Sequence, residues 1–343
     1  MYSPILAVIS NVAMSFAGSI PLMAVVWFIN GYAHAMLWPP MVRLMATSMN
    51  DIEYSYSAVR ISCGSSGATI ALYLITPLLL GFMSWNNVIL SIAVVGAIIT
   101  VSFVVAFPKL FADKNDEEDI KAGDKKKTEN GVPLPKGVFV SIVLIIIAIA
   151  LQGALRDGVG DWMPTFMADA FGLKPENAII AGVIPAIFSM LSFYMFDKIY
   201  RRYFKNEISC AAFIFIGAAV SSALLLLLNA LSLSGVVFAA VSAFLIGFLI
   251  ACMHGVNLML ITVVPKRFIK SGKVSTFSGL FNSATYIGAA IALPLFPALK
   301  SNFSWGVTIA VWGAISVAGA AVCFLTAPSW RRFKENYSDN PEI

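Results

Sequence analysis

Arg156 is the side chain in this sequence with the clearest potential for chemistry. It follows an apolar run, Gly137 to Leu155, that is long enough to cross a bilayer, and it is succeeded by two carboxylates, Asp157 and Asp161. A guanidinium stays protonated at physiological pH and presents a planar fork of donors that suits phosphate or carboxylate. Because a charge at membrane depth is costly unless it is bound, Arg156 predicts an anion-binding site, unless its side chain extends from a helix end to the outer headgroups.

Other polar residues interrupt later apolar runs. His254, Asn257, Asn282 and Tyr286 each lie among apolar neighbours. Polar side chains inside a membrane usually face the interior of a helix bundle, where they line a cavity or hydrogen-bond to a neighbouring helix. The sequence leaves both roles open for each of the four.

Composition identifies the elements that must position these residues. Of 343 residues, 59% are hydrophobic and 12% are charged, against about 25% charged in soluble domains, and the mean hydropathy is +0.84. The apolar blocks approach the roughly 20 residues of a spanning helix and lack the short alternation of barrel strands. We predict an all-α polytopic membrane protein with ten transmembrane helices, at about 3 to 18, 21 to 47, 56 to 81, 86 to 107, 137 to 156, 176 to 196, 208 to 229, 234 to 263, 275 to 297 and 304 to 327.

Basic residues set the predicted topology. The connections at 108 to 136, 197 to 207 and 264 to 274, together with the end of the chain from 328, contain 18 of the 23 Lys and Arg residues. By the positive-inside rule these segments are cytoplasmic, so both termini face the cytoplasm of a multi-pass plasma (inner) membrane protein. The net charge of +5 then requires no nucleic-acid partner.

Several kinds of chemistry are disfavoured. The four cysteines fall inside predicted spans without paired spacing, and the two histidines, His34 and His254, lack metal-ligand neighbours, so neither a metal nor another cofactor is expected. No phosphate-cradling glycine loop precedes a helix, which disfavours an ATP-driven pump. No cluster of catalytic side chains is recognisable, so we predict that the protein is not an enzyme.

The predicted spans fall into two unequal groups. Residues 1–107 hold four spans, a charged cytoplasmic linker follows at 108–136, six spans occupy 137–328, and 329–343 form a cytoplasmic tail. Many transporters consist of two related halves of six spans with the substrate between them. Four plus six is therefore what six plus six becomes without its first two spans, and we expect a truncated or wrongly assigned N-terminus.

Three segments carry a family resemblance. The chain resembles the organophosphate:phosphate antiporters of the major facilitator superfamily, in the branch of glycerol-3-phosphate and hexose-phosphate transporters, and it matches helices three to twelve from end to end. The matching segments are Trp27 to Gly31 with Trp38-Pro39-Pro40 and Arg43, then Leu155-Arg156 through Asp161-Trp162 to Pro164-Thr165, and Gly247 to Ile250 with Pro265-Lys266-Arg267 and Ser278 to Phe281.

The resemblance implies exchange of an organic phosphate for inorganic phosphate as two bundles rock around a central site. In that family two arginines hold the phosphate, and Arg156 matches the second of them. The first would lie upstream of Met1, so the chain as given is expected to bind phosphate weakly, because one guanidinium leaves a dianion under-neutralised.

Departures from the family bear on the substrate. Cys63 stands where the family has a histidine, and Arg60, one turn earlier, either reaches the site or stays paired near the cytoplasmic end. Gly153 replaces a family tyrosine, which we expect to open space beside Arg156 and which puts glycerol phosphate in doubt. Asp161 matches a family carboxylate that orients Arg156, unless it lies in an outer loop, and Asp157 is an equal candidate for that role.

The segment from Asp197 to Arg202 resembles a short cytoplasmic motif of the superfamily. Asp197, Arg201 and Arg202 would latch the inner gate by charge pairs, or else serve only as topology-setting charges. Trp38, Pro39 and Pro40 are expected to shape a helix bend and its packing rather than to touch substrate.

The sequence is consistent with several classes of function. The first is a monomeric secondary transporter whose partners are an anionic small molecule, either organic or inorganic phosphate, and the lipid bilayer. The alternatives are a membrane sensor of sugar phosphate, a non-functional fragment, and a transporter of another organic anion. The candidate substrate-binding residues are Arg156, Asp161, Arg60, Cys63, His254, Asn257, Asn282 and Tyr286, and the candidate gating residues are Asp197, Arg201 and Arg202.

Overall fold

The predicted all-α fold is confirmed. The computed structural model describes residues 2–111, 132–173, 182–231 and 235–339, and the regular secondary structure in these ranges is helical. The helices are α1 (Tyr2–Ser15), α2 (Ile20–Ala35), α3 (Trp38–Ser48), α4 (Asp51–Leu80), α5 (Trp85–Phe111), α6 (Val138–Phe171), α7 (Val183–Tyr203), α8 (Glu207–Ala230), α9 (Val236–Asn257), α10 (Val274–Asn302) and α11 (Trp305–Phe333). Short segments follow α9, namely a π-helix (Leu258–Val263), an α-turn (Val264–Lys266) and a 3₁₀ turn (Ile269–Ser271), and a second π-helix (Lys334–Ser338) follows α11.

Every predicted span overlaps a helix, but the first is short. Within the described residues, nine helical segments are long and apolar enough to cross a membrane, with α2 and α3 forming one of them, whereas α1 has only 14 residues. Of the predicted linker, residues 112–131 lie outside the described residues, as do 174–181, 232–234 and 340–343 elsewhere. α5 continues to Phe111 and α11 to Phe333, so both helices run past the expected boundaries at 107 and 328.

Local sequence explains where several helices begin. Asn50 accepts hydrogen bonds from the backbone N–H groups of Ile52 and Glu53, and the Glu53 side chain accepts one from the Asn50 N–H, which forms a capping box for α4. Pro39 and Pro40 lie in the first turn of α3, where proline needs no intrahelical donor, so the chain breaks between α2 and α3 as the Trp38-Pro-Pro sequence predicted.

The expectation that a span ends at Arg156 was wrong. α6 has 34 residues and continues to Phe171, which places Arg156 near its middle. The glycines and carboxylates after Arg156 suggested a loop, but tertiary contacts keep this stretch helical. A Cβ on Gly158 would lie 2.6 Å from the Phe296 ring, and the indole N–H of Trp162 donates to the Leu293 carbonyl at 3.0 Å.

Two glycines allow α6 and α10 to touch backbone to backbone. A Cβ on Gly153 would lie 2.1 Å from the Thr285 carbonyl oxygen, and one on Gly288 would lie 1.8 Å from the Ala150 carbonyl oxygen. Gly153 therefore opens no space beside Arg156, contrary to the sequence-based expectation, because the backbone of α10 fills it. Such close approach through small residues is typical of membrane helix pairs.

The remaining helices form two groups around this pair. α6 also packs on α9 and α11, while α8 packs on α9 and α11, and α7 packs on α9. α1 packs on α2 and α5 in the first group. The two groups meet where α4 lies against α7 and where α3 lies against α10. These two contacts frame the space between the halves.

The α6–α10 contact can be tested with two alanine substitutions on one helix. Gly153→Ala should lower the free energy of unfolding by about 1–3 kcal/mol, because the new methyl group overlaps a carbonyl that cannot move freely. Gly160→Ala is the matched control, since its Cβ would meet only Ile250 Cδ1 at 4.0 Å. The measurement is the thermal unfolding midpoint of each variant in detergent. Equal midpoints would contradict the close contact.

Candidate anion-binding cavity

A cavity of about 200 Å³ lies between the two groups of helices. Arg156 and the four polar residues named in later spans, His254, Asn257, Asn282 and Tyr286, face the same space, although they come from three different helices. The first group contributes Trp38 of α3 and a serine-rich face of α4. The lining residues are Trp38, Ile61, Ser62, Ser65, Ser66, Arg156, Phe193, His254, Asn257, Ile261, Asn282 and Tyr286.

Arg156 supplies the positive charge of the cavity wall. Its Nε donates to Asp157 Oδ1 at 2.6 Å and its Nη2 donates to Asp157 Oδ2 at 2.8 Å, so the carboxylate binds the guanidinium in a bidentate pair. The side chains are 17% and 27% exposed. A buried guanidinium without a partner would pay a large desolvation cost. Asp157 therefore holds Arg156 in the cavity wall in this conformation.

Gln152 fixes α9 beside this arginine. It lies one turn before Arg156 on α6, is fully buried, and donates through Nε2 to the Met253 carbonyl at 3.1 Å. The next residue along α9 is His254, whose ring packs edge-on against Phe193 of α7 at a centroid distance of 5.5 Å. One amide side chain thus sets the register that brings His254 and Asn257 to the cavity.

Three predicted site residues lie away from the cavity lining. Asp161 is on α6 rather than in a loop, and its side chain is exposed. Arg60 is exposed on α4. Cys63 is buried and its thiol donates to the Met190 carbonyl at 3.5 Å, so it contacts α7 instead of the cavity. The structure therefore brings Arg156, His254, Asn257, Asn282 and Tyr286 together and leaves these three outside.

Part of the cavity wall was not predicted from the sequence. Trp38 lines it, and its buried indole N–H has no hydrogen-bond partner in the described part of the chain. Trp38 thus does more than shape a bend. Ser62, Ser65 and Ser66 also line the cavity, and their spacing at i, i+3 and i+4 marks one helix face. That spacing was visible in the sequence, but only the position of α4 shows what the face meets.

A polar latch joins the halves at one end of the cavity. Asp197 of α7 accepts a hydrogen bond from Ser55 Oγ of α4 at 2.6 Å and one from Arg201 Nε at 2.8 Å. The Arg201 guanidinium lies over the Tyr56 ring at 5.2 Å. Arg202 instead lies over Tyr203, its neighbour in sequence, at 5.4 Å. Asp197 and Arg201 thus bridge the halves.

Tyr54 makes a second bridge at the same end. Its hydroxyl donates to the Thr262 carbonyl at 2.6 Å, within the π-helical segment that follows α9. The Lys266 ammonium lies over the Tyr54 ring at 4.7 Å. A small apolar cluster of Val42, Met45, Ala46, Tyr54 and Val274 surrounds this contact. The halves are therefore closed against each other at this end.

No metal centre accompanies these features in the described ranges, since no group of three or more His, Cys, Asp or Glu there is placed to hold an ion. The site comprises one guanidinium that is paired with a carboxylate, together with neutral amide, imidazole, phenol, indole and hydroxyl groups. This is the chemistry of anion binding by hydrogen bonds and one guanidinium.

The fold and the cavity define the class as a polytopic α-helical membrane protein with a polar cavity between two groups of helices. The Major Facilitator Superfamily profile matches residues 1–282, so the chain belongs to that superfamily.

Individual relatives agree with this assignment. The chain is 25% identical over 304 residues to a glycerol-3-phosphate transporter of Bacillus subtilis (strain 168), covering 84% of this chain and 66% of the relative. It thus spans just under two thirds of that relative's length. Two solved structures share the fold. The proton:xylose symporter XylE has a TM-score of 0.68 at 12% identity, covering 94% of this chain and 78% of that one. The Escherichia coli fucose:proton symporter FucP has a TM-score of 0.60 at 13% identity, covering 95% and 81%.

Removal of one hydroxyl should loosen the closed end. Tyr54→Phe deletes the hydrogen bond to the Thr262 carbonyl, which contributes about 0.5–1.5 kcal/mol, so the population with separated halves should rise about 2- to 10-fold. Spin labels are attached at Ile52 and Lys198 in a variant without the native cysteines. Pulsed electron paramagnetic resonance then measures the distance between the two labels. Tyr56→Phe is the control because the ring of Tyr56, rather than its hydroxyl, contacts Arg201. Identical distance distributions for the two variants would refute the role of the Tyr54 hydroxyl.

Proposed function

We propose that this protein is a secondary transporter that exchanges an organic phosphate ester for inorganic phosphate by alternating access. The observation that carries the proposal is the position of Arg156, a permanently charged guanidinium in the wall of a cavity between the two halves of a transporter-superfamily fold. The glycerol-3-phosphate transporter among its relatives supports phosphate over other anions.

The donors around Arg156 suit a tetrahedral oxyanion. Asn282 and Tyr286 lie one turn apart on α10, and His254 and Asn257 lie about one turn apart on α9. Together they offer amide, phenol and imidazole groups on two sides of the guanidinium. A phosphate bound to Arg156 can therefore accept further hydrogen bonds from several directions, and the serine face of α4 and the Trp38 indole are available to the organic part.

Asp157 acts as the internal competitor of the substrate in this proposal. The carboxylate occupies both Nε and Nη2 of Arg156, which are the donors that a bidentate phosphate would use. Substrate binding then consists of displacing Asp157 from the guanidinium. The empty site avoids an unpaired buried cation, and the guanidinium keeps an anionic partner when phosphate replaces the carboxylate.

Alternating access also requires an end that can open. The contacts of Ser55 and Tyr56 with Asp197 and Arg201, and that of Tyr54 with the Thr262 carbonyl, join α4 to α7 and to the π-helical segment. These contacts are polar or cation–π interactions, which can break and re-form at modest cost. In our proposal this end faces the cytoplasm, as the distribution of basic residues predicts, and the protein works as a monomer in the cell membrane.

Replacement of Arg156 tests the anion site. In proteoliposomes loaded with phosphate, Arg156→Ala should lower uptake of labelled phosphate at subsaturating concentration by about 10- to 100-fold, the value of hydrogen bonds to a charged group. Arg156→Lys should retain only part of the uptake, because an ammonium lacks the planar fork. Lys273→Ala, which removes an exposed cation outside the cavity, should match the parent. Parent-like uptake by Arg156→Ala would overturn the assignment, and saturable phosphate binding without exchange by the parent would favour a sensor.

Replacement of Asp157 tests whether its carboxylate competes with phosphate for Arg156. Asp157→Asn should lower the unfolding midpoint without ligand, because Arg156 loses its counter-ion, and should enlarge the midpoint increase on adding phosphate. The expected gain in phosphate affinity is about 10-fold or more, since one charged hydrogen-bonded pair no longer has to be broken. Asp161→Asn is the matched control, an exposed carboxylate one turn further along α6. A larger effect for Asp161→Asn would identify Asp161 as the partner of Arg156 instead.

A further inference from the structure

A second and larger cavity lies at the latched end of the second half, away from the space between the halves. It measures about 910 Å³ and is bounded by the turn between α7 and α8 and by the end of α11. Its wall contains four basic side chains, Lys205, Arg331, Arg332 and Lys334, and two carboxylates, Glu335 and Asp339. None of these residues belongs to the anion-binding cavity described above.

Ion pairs neutralise two of the four basic side chains in this cavity. Arg331 pairs with Glu335 at 2.9 Å, and Asp339 pairs with Arg267 at 3.1 Å outside the cavity wall. Lys334 pairs with the buried carboxylate of Glu207 at 3.0 Å. Lys205 and Arg332 form no ion pair with any residue that the structure describes. The cavity is therefore suited to a ligand with one or two negative charges.

The cavity has a rigid base. Glu207 is fully buried and accepts hydrogen bonds from Lys334 Nζ at 3.0 Å, Trp330 Nε1 at 3.0 Å and Arg267 Nε at 3.1 Å. Burial alone would lower the pKa of the Arg267 guanidinium, but Glu207, Tyr200 and Asp339 together outweigh this effect and raise that pKa. A fully buried carboxylate is tolerated only with such compensation. The network ties the start of α8 to the end of α11.

Hydrogen bonds also hold the turn between α7 and α8, which lies above this base. The Asn206 side chain accepts a hydrogen bond from the Ile208 N–H at 2.9 Å and donates to the Ala327 carbonyl at 2.9 Å. The Lys334 ammonium donates as well to the Lys205 carbonyl at 2.8 Å. The backbone that carries Lys205 is thus anchored to α11, which carries Arg332, so the two unpaired cations are held across one cavity.

The surface adjoining the cavity becomes apolar along the spanning helices. Phe213, about one turn beyond the cavity residue Ser209 on α8, is 52% exposed, and Phe324 and Leu325, just before the cavity residues Ala327 and Pro328 on α11, are 54% and 72% exposed. In a spanning helix such exposed side chains face acyl chains. A ligand that fits both parts has an anionic head and long apolar chains.

We propose that this cavity binds the headgroup of an anionic phospholipid. The ammonium of Lys205 and the guanidinium of Arg332 bind the phosphoryl oxygens, and the acyl chains lie along the exposed apolar residues of α8 and α11. The inference does not depend on the proposed transport function, because it rests on a different cavity and different residues. A water-soluble phosphate would use the same two cations but would gain nothing from the apolar surface.

The test compares an anionic and a zwitterionic lipid that have the same acyl chains. The purified full chain, delipidated in detergent, is titrated with phosphatidylglycerol or with phosphatidylcholine of the same acyl chains, and bound lipid is counted by native mass spectrometry. Phosphatidylglycerol should bind about 30-fold more tightly, since each basic residue near an anionic headgroup contributes roughly 1 kcal/mol. Lys205→Gln/Arg332→Gln should lose this preference. Lys198→Gln/Lys273→Gln, which removes two exposed cations at the same end outside the cavity, should retain it.

Three outcomes overturn the proposal. An equal loss of preference in both double variants would mean that general surface charge attracts the lipid. Inorganic phosphate displacing all bound phosphatidylglycerol at millimolar concentration would mean a soluble-anion site. If Lys205→Gln/Arg332→Gln unfolds, the charge-conserving Lys205→Arg/Arg332→Lys variant replaces it, and the absence of lipid preference in that folded variant would contradict the assignment.

Discussion

The contact on which the site depends most is the approach of α6 to α10. At Gly153 and Gly288 the two helices meet backbone against backbone, with no room for a methyl group on either side. That approach places Arg156 of α6 beside Asn282 and Tyr286 of α10. In a membrane, where apolar surface gains little by leaving lipid, such close packing is one of the main forces that hold helices together. The arrangement of polar residues around Arg156 therefore depends on two residues that have no side chain.

Buried charge is handled in two different ways along the second half. Glu207 is enclosed completely and is compensated by Arg267, Lys334 and the Trp330 indole, which is an arrangement suited to permanent structure. Arg156 pairs with the carboxylate of Asp157, the adjacent residue of its own helix, and it lines a cavity. The same desolvation cost is thus met by a network in one place and by one ion pair in the other. In our proposal, this contrast separates a structural cluster from a site that exchanges partners.

Several features could be predicted because they depend on local sequence. Blocks of apolar residues gave the helices, since hydrocarbon requires each segment to satisfy its own backbone groups. Pro39 and Pro40 marked the break before α3, and the candidate polar residues of α9 and α10 line one cavity with Arg156. Prediction failed where local sequence and tertiary contact disagree. The glycine-rich stretch after Arg156 has weak helix propensity, yet α6 continues through it because Phe296 and the Leu293 carbonyl meet it on one side.

The sequence by itself determined that the chain is a bundle of spanning helices with an arginine at membrane depth, because hydropathy and charge are properties of each segment alone. Tertiary structure decided which carboxylate neutralises that arginine, which way Trp38 and the serines of α4 face, and that Arg60 and Cys63 lie outside the cavity. Those outcomes depend on the rotation and separation of helices far apart in sequence. The rotation and separation of these helices are set by close contacts such as that of Gly153 with Thr285. A single added methyl group at such a contact would keep the two helices from approaching this closely.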